Sequence, residues 1–277
     1  MPAIALVAAG ARLGLSLGKI FGGHGFDVAL IARSKERLDE LMGKLAAEGV
    51  MAAGFPADVT DRSALAAALD SAAGRFGGID VLHYSSPGAG TTETLRSTGA
   101  LDVTVDNLGP QIESICYGAI TATRAVLPAM LAAGTGTLLY TTGASSVTPA
   151  PVFVSAGMAG AALRKWALTL NGALAGTGVY AGHVAIGTWI AGTPGAPEGA
   201  PLKEPDDIAR LYWDLHTSRD PPSAPVPGRP SSPPAARRRH GTPPSPPASR
   251  TSHLASSPSA RDWFPRSFRH SARPGRH

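Results

Sequence analysis

Short apolar runs alternate with longer amphipathic stretches along the first 219 residues of the chain. Residues 4–8 form a continuous apolar run of strand length, 14–23 follow with helical periodicity, and 26–32 form a second buried run. Residues 35–48 carry Leu38, Leu41 and Leu45 on one face of a predicted helix. The pattern then predicts a strand over 51–55, a helix over 62–76, and a strand over 79–83 that ends in the turn Ser85-Ser86-Pro87-Gly88. A long helix is expected over 110–133, bent at Pro128, followed by a strand over 136–142. An Ala- and Gly-rich helix over 155–174 and a strand over 179–186 come next. The last predicted helix, 205–217, starts with Pro205 in its first turn and Asp206 and Asp207 against the helix dipole. Strands alternating with helices of this length imply right-handed crossovers and one parallel sheet covered on both faces. The expected fold class is a doubly wound α/β domain, single, over residues 1–219.

Residues 220–277 have a different vocabulary. They hold 14 of the 25 prolines and no Ile, Met, Lys, Glu, Asn, Gln or Tyr. Such a segment cannot bury enough apolar surface to offset its ordering entropy, so a disordered tail is expected. Pro, Arg, Ser, Ala and His in this proportion read as a frameshifted or non-native extension of a GC-rich gene. The alternative is a Pro-rich binding tail, with Pro243-Pro244-Ser245-Pro246-Pro247 able to form polyproline II.

The charge divides at the same place. The net +5 is the sum of +8 in residues 220–277 and −3 in residues 1–219. The expected folded part is therefore slightly acidic, and no nucleic-acid surface is read from the basic total. Cys116 is the single cysteine, which excludes an intrachain disulfide and fits a reducing, cytoplasmic setting. Residues 125–163 carry no charge, but Pro128, Gly134, Gly136, Pro149 and Pro151 interrupt them, so no membrane span is expected there. No metal site is expected either.

The first strand-turn-helix unit and the second strand resemble the short-chain dehydrogenase/reductase family, and the resemblance extends over about residues 3–217. The family's first turn has three glycines spaced four and two apart. Counting back from Arg33 gives the third to Gly14, with Ala8 and Arg12 at the first two positions. A second register uses Gly10, Gly14 and Ser16. Either way the turn, with Leu15 behind it, is the expected pyrophosphate cradle, where glycines let backbone N–H groups approach the anion. Arg33 and Ser34 end the second strand without the acid that NAD-preferring members place there, so the resemblance implies NADP(H). Asp58 and Val59 match the adenine-contacting pair, with Asp61 continuing the pattern. Tyr84-Ser85-Ser86-Pro87 stands where Asn-Asn-Ala-Gly is usual, and Ile186-Gly187 replaces Pro-Gly.

In the family a Tyr exchanges the substrate proton and a Lys four residues later lowers its pKa. A Ser orients the substrate oxygen and an Asn supports a water relay. By spacing, these positions are held here by Ala156, Gly160, Gly143 and Ile115. The expected catalytic set is therefore empty, and without an acid/base group proton transfer loses about 10²–10⁴-fold. The resemblance implies an oxidoreductase that reduces a carbonyl or oxidises an alcohol, weakly or not at all by this mechanism, and the alternative is a catalytically inactive dinucleotide-sensing or scaffolding homo-oligomer. The substitutes to consider are Ser145, Tyr84 and Tyr140, then Ser146, Tyr180 and His83. The resemblance further implies a homo-oligomer joined through the long helix and the Ala/Gly-rich one. The family's last strand normally follows the final helix. The Pro-rich segment stands in its place, so the sheet is expected to end at about Thr217 without it.

Overall fold

The computed structural model describes residues 1–85, 96–193, 196, 198–220 and 222–226. Strands β1 (Ala3–Val7), β2 (Asp27–Ala32), β3 (Ala52–Pro56), β4 (Val81–Ser85), β5 (Gly136–Gly143) and β6 (Val179–Ile186) alternate with helices. These are α1 (Leu13–Gly23), α2 (Lys35–Ala46), α3 (Arg62–Phe76), α4 (Val105–Ile112), α5 (Gly118–Ala133), α6 (Val154–Ala173) and α7 (Pro205–Ser218). A two-residue pair, β7 (Trp189–Ile190) with β8 (Leu202–Lys203), lies between β6 and α7. The main sheet is parallel in the order β3-β2-β1-β4-β5-β6-β9.

That last strand, β9 (Ser223–Val226), corrects the expectation that the sheet ends at Thr217. It pairs in parallel with β6, His183 opposite Ser223 and Ile186 opposite Val226. The His183 N–H donates to Pro222 O at 3.0 Å and the Gly187 N–H to Val226 O at 2.9 Å, while Ala224 and Val226 are buried. Pro225 hides the strand in the sequence, yet proline is tolerated on an edge, where its missing N–H costs no ladder bond.

Each central strand is buried on both faces, so neighbouring residues feed opposite cores. Ala5, Val7, Leu82, Tyr84, Leu138 and Tyr140 pack with α3, α5 and α6. Ile4, Leu6, Leu30, Leu139 and Val184 pack with α1, α2 and α7. Ser16 of α1 donates to Asp206 of α7 at 2.5 Å, tying two helices of the second face together.

The long helix departs from expectation at its start. It begins at Val105 rather than Pro110, because Thr104 and Asn107 form a capping box with reciprocal side-chain bonds of 3.3 and 3.0 Å. A π turn, Glu113–Tyr117, joins α4 to α5. By length and composition the 29 residues Val105–Ala133 would suffice to cross a membrane. Ala119, Ala122, Val126 and Met130 bury one side of this segment in the core, which makes it a core helix of the α/β fold.

Candidate functional site

Ligands of open α/β sheets bind beyond the carboxyl ends of the strands, where the chain order reverses. In this sheet the reversal lies between β1 and β4. Ala8 to Leu15 follow β1, Arg33 and Ser34 follow β2, Asp58 and Val59 follow β3, Ser85 ends β4, Gly143 to Ser146 close β5, and Gly187 follows β6. The cofactor-side positions with described structure, together with Gly143, Ser145 and Ser146, are thus on this one edge, and Ile115, Ala156 and Gly160 are on the helical segments beside it, whereas His83 and Tyr140 lie within their strands and Tyr180 at the amino end of β6. Ser86 lies outside the described residues.

At the first turn the positive φ of +58° falls on Ala8, and α1 begins at Leu13. Only three conformational regions are open to an L-residue, and this one normally goes to glycine. Gly14 sits so close to the turn that a Cβ would meet the Cα of Ala9 at 3.1 Å. Both observations favour the register Ala8–Arg12–Gly14. Gly10 has open space around it and no positive φ, and Ser16 of the other register is engaged by Asp206. The Leu15 N–H donates to Gly10 O at 3.0 Å. Arg12 is exposed at the α1 N-cap, and its guanidinium donates to Gly192 O at 3.3 Å.

No side chain caps α1, and its first turn has no acid. An uncapped helix start with an arginine beside it fits a pyrophosphate, which draws on the same N–H groups and dipole. Arg33 is exposed and forms a loose ion pair with Asp58, 3.8 Å apart. Asp58 also accepts from the Thr60 N–H and hydroxyl at 2.9 and 2.8 Å. The Ser34 hydroxyl caps α2 by accepting from the Arg37 N–H at 3.2 Å. Asp61 caps α3 through the Ala64 N–H at 3.0 Å. This end of the edge, with an uncapped helix start and the exposed Arg12 and Arg33, has chemistry that fits a nicotinamide dinucleotide.

The other end is built differently. Ile115 lies in the π turn. Gly143 is exposed at the end of β5, and a tight 3-10 turn, Ala144–Ser146, follows it. That turn seats in a notch of α6. A Cβ at Gly157 would stand 2.9 Å from the Ser145 carbonyl oxygen, and one at Gly160 would stand 3.1 Å from the Ser146 Cβ. Ala156 is half-buried beside them.

Of the substitute donors, two point away from the edge. Tyr84 is fully buried and donates to the Ser114 carbonyl oxygen of the π turn. Tyr140 is fully buried against the Thr123 hydroxyl at 2.7 Å. Burial pushes both phenols well above their usual range, and it withdraws them from a proton-exchange role. Tyr180 is also in the core, its phenol pushed up to about 12 by burial, then by Asp220. His83 is sealed between Thr141, at 2.9 Å, and the ring of Tyr212. Ser145 is half-buried in the turn, and Ser146 is 8% exposed.

Sequence reasoning missed His183. It sits on β6 facing α6, with its Nε2 2.8 Å from Thr142 Oγ1, which is 2.7 Å from Ser146 Oγ. Its Nδ1 is 3.4 Å from Ser223 Oγ on the unforeseen last strand. A histidine at an inward position of an otherwise apolar strand was the available signal. Among the described residues no cluster of three His, Cys, Asp or Glu is placed to hold a metal ion.

The sequence profile of the short chain dehydrogenases matches residues 3–194. The chain belongs to this family. A short chain dehydrogenase of Pseudocercospora fijiensis is 27% identical over 206 residues, 73% of this chain and 62% of the relative, so the chain spans less than two thirds of that protein. An uncharacterized oxidoreductase of Staphylococcus aureus is 30% identical over 209 residues, 74% of this chain and 86% of its own. Among solved structures, an L-sorbose reductase from Gluconobacter frateurii, complexed with NADPH and L-sorbose, shares the fold with a TM-score of 0.71. It is 19% identical and covers 82% of this chain and 95% of its own. Membership of this oxidoreductase family supports a nicotinamide dinucleotide as the cofactor class.

Proposed function

We propose that the protein is an NADP(H)-binding oxidoreductase of the short-chain dehydrogenase family in which the Tyr–Lys acid/base pair has been replaced by packing. The observation that carries this reading is the notch of α6. Gly157 and Gly160 admit the Ala144–Ser146 turn so closely that the Lys position now serves a helix–turn contact. Carbonyl reduction or alcohol oxidation by the usual pair is therefore absent or feeble, since Ala156 and Gly160 carry no ionisable group.

The cofactor, when bound, supplies or accepts a hydride. The chain's own part begins with the α1 N-terminus and Arg12, which would hold the pyrophosphate. Arg12 must then exchange its bond to Gly192 O for a phosphate oxygen. Arg33 would clamp a 2′-phosphate, helped by the absence of an acid after β2, and release Asp58 to do so. Exposed Tyr117 and Leu131 on the long helix and Met158 on α6 support a homo-oligomeric reading on that face. With a single buried thiol at Cys116, a reducing, cytoplasmic setting completes the proposal.

Calorimetric titration with NADPH, NADP⁺ and NADH tests the cofactor reading. NADPH is expected to bind more tightly than NADH, and Arg33→Ala to weaken NADPH at least tenfold while leaving NADH within about twofold. Equal weakening, or no heat with any dinucleotide, would overturn it.

A further inference from the structure

We infer that Ser146, Thr142, His183 and Ser223 form a proton wire that delivers a proton to the substrate oxygen, with Ser146 the catalytic donor at its inner end. This rests on the dinucleotide-dependent reading above and supplies the acid/base function that Ala156 and Gly160 lack.

The wire follows from the packing. Thr142 and His183 lie on the face of β5 and β6 that α6 covers. A full side chain at Gly160 would crowd both Ser146 and Thr142, whose Cβ atoms stand 3.1 and 3.5 Å from a Cβ built there. The same glycine that removes the family's Lys thus makes room for a chain of hydroxyls and one imidazole. Ser146 to Thr142 is 2.7 Å, Thr142 to His183 Nε2 is 2.8 Å, and His183 Nδ1 to Ser223 is 3.4 Å. Ser146 belongs to the turn at the carboxyl edge of the sheet, while Ser223, half-buried on the outermost strand, meets solvent. The inferred wire thus runs from a turn at the carboxyl edge of the sheet to a partly exposed hydroxyl on β9.

An imidazole in the middle lets the wire run without creating a buried charge. Burial, then the charge of Arg164 on α6, holds the ring down at about 4, so it stays neutral at pH 7. A neutral ring has one donor nitrogen and one acceptor nitrogen, and exchanging the two moves a proton across it.

For carbonyl reduction the balance is simple. As hydride from a reduced nicotinamide dinucleotide adds to the carbonyl carbon and its C=O π bond breaks, the oxygen takes the Ser146 proton. Ser146 takes that of Thr142, and Thr142 takes the one on His183 Nε2. Nδ1 takes the Ser223 proton, and Ser223 is recharged from water. Alcohol oxidation is the reverse.

The test uses the full chain, NADPH and 2,3-butanedione as the carbonyl probe at pH 7. Turnover is expected in the unaltered protein. Ser146→Ala and Thr142→Val should lower kcat at least tenfold with the NADPH Kd within about twofold, and Thr142→Ser should restore it. Ser223→Ala, at a half-exposed position that does not threaten folding, should lower kcat and change the solvent deuterium isotope effect.

A readout independent of turnover is the ¹⁵N spectrum of the His183 ring, which should shift its tautomer balance in Thr142→Val and in Ser223→Ala. Unchanged kcat in Ser146→Ala overturns the wire, and so does a ring spectrum indifferent to both neighbours. No turnover by the unaltered protein, with NADPH still bound, also overturns it and leaves the cofactor reading standing. Loss of NADPH binding itself would instead sink the reading on which the wire rests.

Discussion

The Tyr84 hydroxyl, at the end of β4, donates to the main-chain carbonyl oxygen of Ser114 inside the π turn. The contact explains an otherwise unremarked glycine. A Cβ at Gly118 would overlap the Tyr84 hydroxyl and stand 2.9 Å from the Val59 carbonyl oxygen. Strand, π turn and helix start are therefore fitted to one another. Tyr84→Phe should cost about 1–2 kcal/mol through a lost buried hydrogen bond. Gly118→Ala should cost about 1–3 kcal/mol by overpacking, despite the better helix propensity of alanine. The double variant should cost less than the two combined, because removing the hydroxyl opens part of the space. Urea unfolding of the three variants checks this, and strict additivity would count against the fitted contact.

Much of this architecture was legible in the chain. The apolar runs of β1, β2, β5 and β6 and the Leu38–Leu41–Leu45 face of α2 reflect burial that local periodicity records. What was not legible came from tertiary context. β9 is four residues long and contains Pro225, so neither length nor propensity marks it. Pro110 looked like a helix start because proline favours that position, yet the Thr104–Asn107 capping box had already begun the helix. At the candidate site, spacing alone assigned Ala156, Gly160, Gly143 and Ile115 to the family's catalytic positions. It could not show that Gly160 faces Ser146 or that His183 reaches Thr142, since those contacts join β5, β6 and α6.

The last strand makes a prediction about the length of chain the fold requires. A chain ending at Val226 keeps the β6–β9 ladder, whereas one ending at Arg219 loses it and exposes the edge of β6. Burial of Val226 and Ala224 alone is worth about 3 kcal/mol. The shorter chain should therefore melt several degrees lower. Equal melting temperatures for the two would show that β9 contributes nothing.

Acid should destabilise the protein earlier than its exposed carboxylates would. Burial lowers His83 to about 3, and burial with Arg164 lowers His183 to about 4, from an ordinary 6.5. Between pH 6.5 and 4 the unfolded chain binds protons that the native rings refuse, so stability falls as pH falls. At pH 5 each ring should cost about 2 kcal/mol, and His216, lowered mainly by burial, works in the same direction. Urea unfolding at pH 7.5 and pH 5 should differ by about 4 kcal/mol. His183→Gln should remove about half of that difference, whatever it does to stability at pH 7.5. A stability indifferent to pH in this window would contradict the buried neutral rings.

If, as proposed, Ala156 and Gly160 stand where the family has its Tyr–Lys pair, rebuilding that pair tells whether the α6 notch or only the missing side chains keeps the usual chemistry out. Ala156 is half-buried, so Ala156→Tyr is expected to fold. Gly160→Lys brings a Cβ to 3.1 Å from Ser146 Cβ and should cost about 1–3 kcal/mol. Adding Ser146→Gly removes the opposing atom and should recover most of that loss. Gly157→Ala offers no such rescue, because its Cβ would meet the Ser145 carbonyl oxygen at 2.9 Å, and backbone cannot turn aside. It should destabilise in spite of a helix-propensity gain of about 1 kcal/mol. The triple variant Ala156→Tyr, Gly160→Lys, Ser146→Gly then carries the family's acid/base without the clash. A gain in NADPH-dependent ketone reduction over Ser146→Gly alone would show that the rest of the edge still positions a substrate. If Gly160→Lys is as stable as the unaltered chain and Gly157→Ala more stable, the notch is not a packing constraint. The absence of the pair would then need another cause.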